Sequence, residues 1–220
     1  MDSGAGRAIG ADQVLWSAPE DERDGRPLLV LLHGHGMDER MGLDRYGRLP
    51  PELVLASVRG PMQVRSGYGW FPLDASLRLE QVDQAAHAVL GWVEAQQRHP
   101  SVGVLGFSQG SSIGLQCMRL APELFAYGVV LSGFAVPTTL PGDAVLARRR
   151  PPVFSGRGDA DALVPAPLVG LTDSWLAIHT DLTSRTYPGL GHDVSPAEVE
   201  DLAAFLRQQV GPGAAPTARS

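Results

Sequence analysis

The chain has 220 residues, 44% hydrophobic and 19% charged, which is the composition of a globular chain with a sizeable core. Its net charge is −6, and such a surface disfavours binding to nucleic acid or to anionic membranes. A single cysteine, Cys117, excludes an internal disulfide framework. Since no stretch has the pattern of a secretion signal or the length of a membrane span, we expect a soluble, cytoplasmic protein.

Short apolar runs recur along the chain and predict strands. In chain order they are residues 13–17, 28–32, 53–58, 102–107, 128–132, 152–155 and 182–187. Continuous apolar runs such as LLVLL at 28–32 are typical of strands that are buried on both faces of a sheet.

Helical patterns lie between these runs. In residues 76–98, apolar side chains recur at spacings of three and four, which predicts an amphipathic helix with a stripe of Leu79, Val82, Ala86, Val89 and Val93. The segment SPAE at 195–198 predicts a capping box with proline at the first helical position. The apolar stripe of the helix that follows is Val199, Leu202, Leu206 and Val210.

The alternation of strands and helices predicts one α/β domain over residues 13–210, with a mostly parallel sheet covered by helices on both faces. Residues 1–12 and 211–220 are rich in small residues and proline, and we expect them to be flexible tails.

The sequence GFSQG at 106–110 follows a predicted strand and opens a predicted helix. This is the setting of a nucleophile elbow, a sharp turn that presents a serine hydroxyl at the carboxyl edge of the sheet. Gly-x-Ser-x-Gly also arises by chance in roughly one chain of this composition out of five, so the string alone is weak evidence. Ser108 is therefore a candidate nucleophile that needs support from elsewhere in the chain.

A serine hydroxyl needs a base, and the base needs a carboxylate to orient it. His192 lies in the glycine-rich loop PGLGHD after the last predicted strand, whereas His87, His99 and His179 lie in or near predicted helices. Asp159 and Asp161 both follow the strand predicted at 152–155, and either could orient His192. The order Ser, Asp, His is the chain order of the α/β-hydrolase fold.

An oxyanion formed in the reaction needs two backbone donors, one of them from the residue after the nucleophile. That residue is Gln109. We expect the second donor to be the amide of His35, or else that of Gly36, in the loop HGHGMD after the strand at 28–32. Gly36 and Met37 of this loop would then border the substrate.

Taken in order, these motifs resemble the phospholipase/carboxylesterase family, small lid-less α/β hydrolases that include the acyl-protein thioesterases. The resemblance extends from about residue 28 to residue 206. It covers LLHGHGMDE, RGP at 59–61, GWF at 69–71, GFSQGSS, LSG at 131–133, GDADALVP and GLGHDV. It implies an α/β-hydrolase fold without a large cap domain, and a serine hydrolase with no metal and no organic cofactor.

The family pattern places the catalytic acid at the second aspartate of its Gly-Asp-x-Asp segment, which is Asp161 here. The resemblance also implies hydrolysis of carboxylic esters or thioesters with a small to medium apolar acyl group beside Trp70, Phe71 and Leu163. His33 would support its loop. His35 is a departure, because several family members have an apolar residue at this position.

Three alternatives stay open at this point. A His-x-His segment with Asp38 suggests a metal site, but the spacing to the aspartate differs by one from the two-metal pattern and its final histidine is absent. The protein could also be a catalytically silent binding protein, or an acyltransferase that shares the acyl-enzyme. The sequence indicates a small-molecule partner and is silent on oligomeric state.

Overall fold

The computed structural model describes residues 8–46, 49–73 and 78–211. Its strands are β1 (Val14–Trp16), β2 (Leu28–Leu32), β3 (Val54–Val58), β4 (Met62–Val64), β5 (Gly67–Gly69), β6 (Val102–Phe107), β7 (Tyr127–Leu131), β8 (Pro152–Gly158) and β9 (Asp181–Tyr187). Its helices are α1 (Glu39–Tyr46), α2 (Leu79–Glu94), α3 (Gln109–Leu120), α4 (Pro141–Arg149), α5 (Ala166–His179) and α6 (Pro196–Val210).

The main sheet has seven strands in the order β1-β3-β2-β6-β7-β8-β9, and only β1 runs antiparallel to its neighbour. This confirms the predicted fold class, a mostly parallel sheet with helices and the architecture of the α/β-hydrolase fold. In the described part of the chain, no cap domain interrupts it. The parallel order places the loops after β2, β6, β8 and β9 at one edge of the sheet.

Both faces of the sheet are buried along β2, β3, β6 and β7, as the unbroken apolar runs predict, whereas the edge strand β9 is largely exposed. Along β2, Leu28, Val30 and Leu32 belong to one hydrophobic cluster, and Leu29 and Leu31 belong to the other. This alternation follows from the strand geometry, in which successive side chains point to opposite faces. The first cluster includes residues of α2, α3, α4 and α5, and the second includes residues of α1 and α6.

Several boundaries differ from the sequence prediction. The helix predicted at 76–98 extends over Leu79–Glu94; residues 76 and 77 lie outside the described residues, and Leu79 is exposed. Strand β8 continues to Gly158, three residues past the predicted end, because its pairing with β9 extends as far as Gly158 and Tyr187. Sequence analysis did not identify the β4–β5 hairpin, whose strands are only three residues long.

The capping box predicted at 195–198 forms only in part. The Ser195 hydroxyl accepts a hydrogen bond from the Glu198 amide at 3.1 Å. The Glu198 carboxylate completes no hydrogen bond to the Ser195 amide among the described residues, and it is buried beside Gly156. Of the predicted tails, residues 1–7 and 212–220 lie outside the described residues, and Ala11–Gln13 form a short 3-10 helix.

Candidate active site

Ser108 occupies a sharp turn between β6 and α3. Its backbone has φ 53° and ψ −119°, a left-handed conformation that is unfavourable for a residue with a side chain and is typical of a nucleophile elbow. The turn is tight, because a Cβ at Gly106 would overlap the Ser111 amide and one at Gly110 would overlap the Leu32 carbonyl. The two glycines of the motif are therefore required by close packing of the backbone.

The turn brings Ser108 into contact with His192. The Nε2 atom of His192 lies 2.8 Å from the Ser108 hydroxyl oxygen, and its Nδ1 atom lies 2.8 Å from Oδ2 of Asp161. The ring of Phe107 packs against the imidazole with a centroid distance of 5.2 Å. Residues from the loops after β6, β8 and β9 thus form an unbroken chain of hydrogen bonds, in the order required for proton transfer from a serine.

The Asp161 side chain is fully buried, and its carboxylate accepts several hydrogen bonds. Its Oδ1 accepts a hydrogen bond from the Leu163 amide at 3.0 Å, and its Oδ2 is also 3.4 Å from Nη1 of Arg157. Burial by itself would raise the pKa of this carboxyl. The hydrogen bonds from His192 and Leu163, with the charge of Arg157, outweigh burial and hold the pKa of Asp161 below its usual value.

Asp159 is placed differently from Asp161. It is exposed, and its Oδ1 accepts a hydrogen bond from the Gly189 amide at 2.6 Å. This bond connects the loop after β8 to the loop that carries His192. Asp159 therefore organises the loops. Among the described residues, it forms no hydrogen bond to the His192 imidazole.

The loop after β2 passes beside Ser108. The Gly36 amide donates to the Tyr68 carbonyl at 2.8 Å, so it is not free to bind an oxyanion. Among the described residues, the amides of His35 and Gln109 have no hydrogen-bond acceptor. Of the two donors considered from the sequence for this loop, the geometry therefore leaves His35.

The side chain of Gln109 has a further contact that sequence analysis missed. Its Oε1 accepts from the Trp70 amide at 2.9 Å, and its Nε2 donates to the Phe71 carbonyl at 2.6 Å. Gln109 is fully buried, so these bonds form in a low-dielectric environment. They attach the segment after β5 to the nucleophile turn.

A cavity of about 490 Å³ opens beside Ser108 and His192. Its apolar side chains include Met37, Phe71, Leu73, Phe134, Leu163 and Leu168. His35 also lines it, which leaves a polar group in an otherwise apolar wall. The volume is in the range of small-molecule sites.

Two residues predicted to border the substrate do not line this cavity. Trp70 is buried behind it, where its indole Nε1 donates to the His33 carbonyl at 2.8 Å and its ring packs on the His33 imidazole. Gly36 takes φ 79° in the turn that pairs with Tyr68. Leu163 lies at the mouth with 73% of its surface exposed, whereas Phe71 is buried in the wall.

His33 supports its loop, as the resemblance implies. Its Nδ1 contacts the Gly34 carbonyl at 2.7 Å, and its Nε2 accepts from the Gly60 amide at 2.9 Å. Burial lowers the pKa of His33, so the ring is neutral in the folded protein. Both ring nitrogens are occupied by the backbone, which leaves none for a metal ion. In the described parts of the chain, His, Cys, Asp and Glu residues do not cluster in a group that could hold one.

The sequence profile of the phospholipase/carboxylesterase family matches residues 18–210. The chain belongs to this family. Acyl-protein thioesterase 1 of Gibberella zeae is 32% identical over 114 residues, which are 49% of this chain and 47% of the thioesterase. Carboxylesterase SOBER1 of Arabidopsis thaliana is 28% identical over 63% of this chain and 62% of its own length. The chain thus spans about half the length of the thioesterases that it matches.

Solved structures of similar proteins have the same fold. A carboxylesterase from Mesorhizobium loti superimposes with a TM-score of 0.75 at 20% identity, covering 93% of this chain and 98% of that chain. In the described residues, no helix has the length and apolar content needed to cross a membrane.

Proposed function

We propose that this family member is a serine hydrolase of carboxylic esters or thioesters, and that it acts through an acyl-enzyme. One observation carries the proposal. Ser108, His192 and Asp161 are far apart in the sequence, yet their side chains are joined by two contacts of 2.8 Å. A serine hydroxyl in contact with an imidazole, and an imidazole in contact with a buried carboxylate, are the parts that nucleophilic acyl transfer requires.

In the proposed reaction, the Ser108 oxygen attacks the acyl carbon while Nε2 of His192 takes its proton. The tetrahedral oxyanion accepts hydrogen bonds from the amides of Gln109 and His35. The former lies at the first turn of α3, where the helix dipole favours negative charge. The imidazolium then gives the proton to the leaving alcohol or thiol. Water attacks the acyl-enzyme in a second cycle of the same steps, and Asp161 orients the ring throughout.

The cavity supports an apolar acyl group of small to medium size. Its apolar side chains surround the Ser108 hydroxyl from several loops, and its volume of about 490 Å³ limits the group that fits. The names of the relatives, acyl-protein thioesterase and carboxylesterase, agree with an ester or thioester as substrate. The cytoplasmic location and the absence of a nucleic-acid partner stay predictions from composition.

The experiment is a series of p-nitrophenyl esters of rising chain length, assayed beside an acyl-CoA. We expect burst release of p-nitrophenol, a kcat/KM that rises and then falls with chain length, and full activity in the presence of a chelator. Ser108→Ala should lower kcat by about a million-fold, because the nucleophile is lost. Ser112→Ala is the matched control, since Ser112 is a buried serine on the next turn of α3.

Several results would overturn the proposal. Retention of more than about a tenth of the activity in Ser108→Ala would show that Ser108 is not the nucleophile. Inactivation by the chelator, together with resistance to a serine-directed phosphonate, would favour metal chemistry. The absence of a burst with every ester and thioester would indicate a binding protein. Transfer of the acyl group to an added alcohol, in preference to water, would make the protein an acyltransferase.

A further inference from the structure

Arg157 lies beside the proposed catalytic acid at the end of β8. Its Nη1 donates to Oδ2 of Asp161 at 3.4 Å, and its Nη2 donates to the carbonyl of Gly133 in the loop after β7. Oδ2 of Asp161 is also the atom that contacts Nδ1 of His192. One carboxylate oxygen is therefore shared between the guanidinium and the imidazole.

We propose that Arg157 is a positioning residue of the reaction, which fixes the Asp161 carboxylate and sets the pH range in which His192 acts as a base. The inference rests on the proposed function and adds to it a residue outside the triad. Arg157 does not contact the reacting atoms and acts through Asp161.

The positioning follows from the shape of the guanidinium. Its donors are fixed in one plane, so a contact at each end defines the position of both partners. Here the partners are the carbonyl of Gly133 and the carboxylate of Asp161, which belong to different loops at the sheet edge. The Asp161 side chain is fully buried and that of Arg157 is 17% exposed, so water competes little for these contacts.

The effect on pH follows from the charge. A cation close to the imidazole disfavours its protonated form and favours the ionised form of the carboxylate between them. Removing the positive charge should therefore make the imidazole easier to protonate, and the acid limb of the activity profile should move to higher pH. A residue with a purely structural role would lower activity or stability without moving this limb.

Other charged groups surround the same carboxylate and imidazole. Asp173 of α5 and Glu198 of α6 act on Arg157, and Asp193 lies next to His192 with Arg45 of α1 paired to it at 2.5 Å. The aspartates among them partly offset the cation, whereas Glu198, whose pKa burial raises to about 7, is mostly protonated below that pH. The measured shift will therefore be smaller than that for an isolated guanidinium, and a charge control is needed.

The experiment compares three variants at this position with one control. Arg157→Met and Arg157→Gln remove the charge, and the second keeps a donor for Gly133. Arg157→Lys keeps the charge but not the planar pair of donors. The control is Arg185→Met, which removes a mostly exposed cation from the adjacent strand β9, where Arg185 pairs in register with Gly156.

Two quantities are measured on each full-length protein. The first is the dependence of kcat/KM on pH with p-nitrophenyl acetate. The second is the protonation midpoint of the His192 ring, followed by NMR and assigned with His192→Gln. The NMR readout does not depend on activity, so the inference can be tested even if no substrate is turned over.

We expect Arg157→Met and Arg157→Gln to raise the protonation midpoint and the acid limb together, by about half a pH unit or more. The value of kcat should fall roughly tenfold to a hundredfold, less than for loss of a triad member, with KM nearly unchanged. Arg157→Lys should keep the wild-type acid limb and lose part of kcat. Arg185→Met should match the wild type in both.

The inference fails if either neutral variant, shown to be folded by circular dichroism, keeps the wild-type midpoint, or if Arg185→Met moves the midpoint as far. If only one neutral variant folds, that variant decides. Failure of the proposed function gives a different result, because the wild type would then hydrolyse no ester while the His192 midpoint still responds to Arg157.

Discussion

The two aspartates of the Gly-Asp-Ala-Asp segment allow a direct test of which one orients His192 as the catalytic acid. Asp161→Asn should lower kcat by about ten-thousandfold, because an amide favours the wrong tautomer of the imidazole. Asp159→Asn is the matched control and should keep activity within about threefold, since an amide oxygen can still accept from the Gly189 amide. Steady-state assays at pH 8 measure both. Equal losses in the two variants would contradict the assignment of Asp161.

Glu198 is a buried carboxyl outside the triad. It is fully buried on α6, and within the described residues neither of its oxygens has a hydrogen-bond partner. Burial is the main reason that its pKa rises from the ordinary 4.5 to about 7; the charge of Asp193 adds to the rise, and the nearby Ser195 backbone and the charges of Arg45 and Arg157 oppose it. The folded protein therefore keeps a proton that the unfolded chain has lost between pH 4.5 and 7.

This proton gives the stability a defined pH dependence. The contribution of Glu198 to the free energy of unfolding is most favourable below pH 4.5 and decreases as the pH rises to about 7. Glu198→Gln removes the ionisation, so at pH 8 it should be more stable than the wild type by roughly 2–3 kcal/mol, and at pH 5 by much less. Urea unfolding at both pH values measures the difference.

The control for this measurement is Glu200→Gln, at an exposed position of the same helix. It should leave the free energy of unfolding within about 0.5 kcal/mol of the wild type at both pH values. A Glu198→Gln protein that is no more stable than the wild type at pH 8 would show that Glu198 is ionised in the folded state at little cost.

Helices α3 and α4 are joined by a buried ion pair. The Arg119 side chain is fully buried; its Nε and Nη2 donate to the two Asp143 oxygens at 2.8 and 2.9 Å, and its Nη1 donates to the Val136 carbonyl at 3.0 Å. Arg119→Met should therefore lower the free energy of unfolding by about 3–5 kcal/mol, since Asp143 would be left as a buried charge without a counter-ion. Urea unfolding measures this loss.

The double variant Arg119→Met with Asp143→Asn identifies the cause. Asparagine is neutral and still offers an oxygen to the Leu140 amide, which Asp143 now caps at 3.0 Å. The double variant should regain more than half of the lost stability. A loss of under about 1 kcal/mol in the single variant would mean that the ion pair adds little to the packing of these helices.

The short β4–β5 hairpin holds the loop after β2 in place. Tyr68 of β5 bonds to both sides of the loop after β2, accepting from the Gly36 amide and donating to the Met37 carbonyl, each at 2.8 Å. The hairpin thereby holds the loop that contains His35, whose amide is the proposed second oxyanion donor. The segment after the hairpin is hydrogen-bonded in turn to the Gln109 side chain. The loop after β2 and the cavity wall at Phe71 are therefore both connected to the turn that carries Ser108.

The loops of the candidate site are bonded to one another as well as to the sheet. The Ala160 amide donates to the Leu190 carbonyl at 3.0 Å, and the Asp159 amide donates to the Tyr187 carbonyl at 3.2 Å. We therefore expect activity and far-UV circular dichroism to be lost at the same urea concentration, as in a single cooperative transition. Loss of activity at a clearly lower urea concentration would instead indicate that the site opens before the fold unfolds.

Sequence analysis predicted the seven strands of the main sheet. It also selected Ser108, Asp161 and His192 as candidate catalytic residues, and their side chains are in contact in the structure. These features depend on local signals. A buried strand is a continuous apolar run, and a nucleophile turn needs glycines at fixed positions beside the serine. The end of β8 was misplaced because Gly156, Arg157 and Gly158 do not continue the apolar run and join the strand only through their pairing with β9.

Arg157, the Gln109 side chain and Glu198 became informative only in three dimensions. Nothing next to Arg157 in the sequence indicates that its guanidinium bridges Asp161 and Gly133, and the local pattern at Glu198 favoured a capping role over burial beside Gly156. The main-chain positions of the candidate site follow from short-range patterns in the chain. The hydrogen bonds that orient its side chains depend on distant segments that meet only when the sheet is formed, so the amino-acid order does not specify them locally.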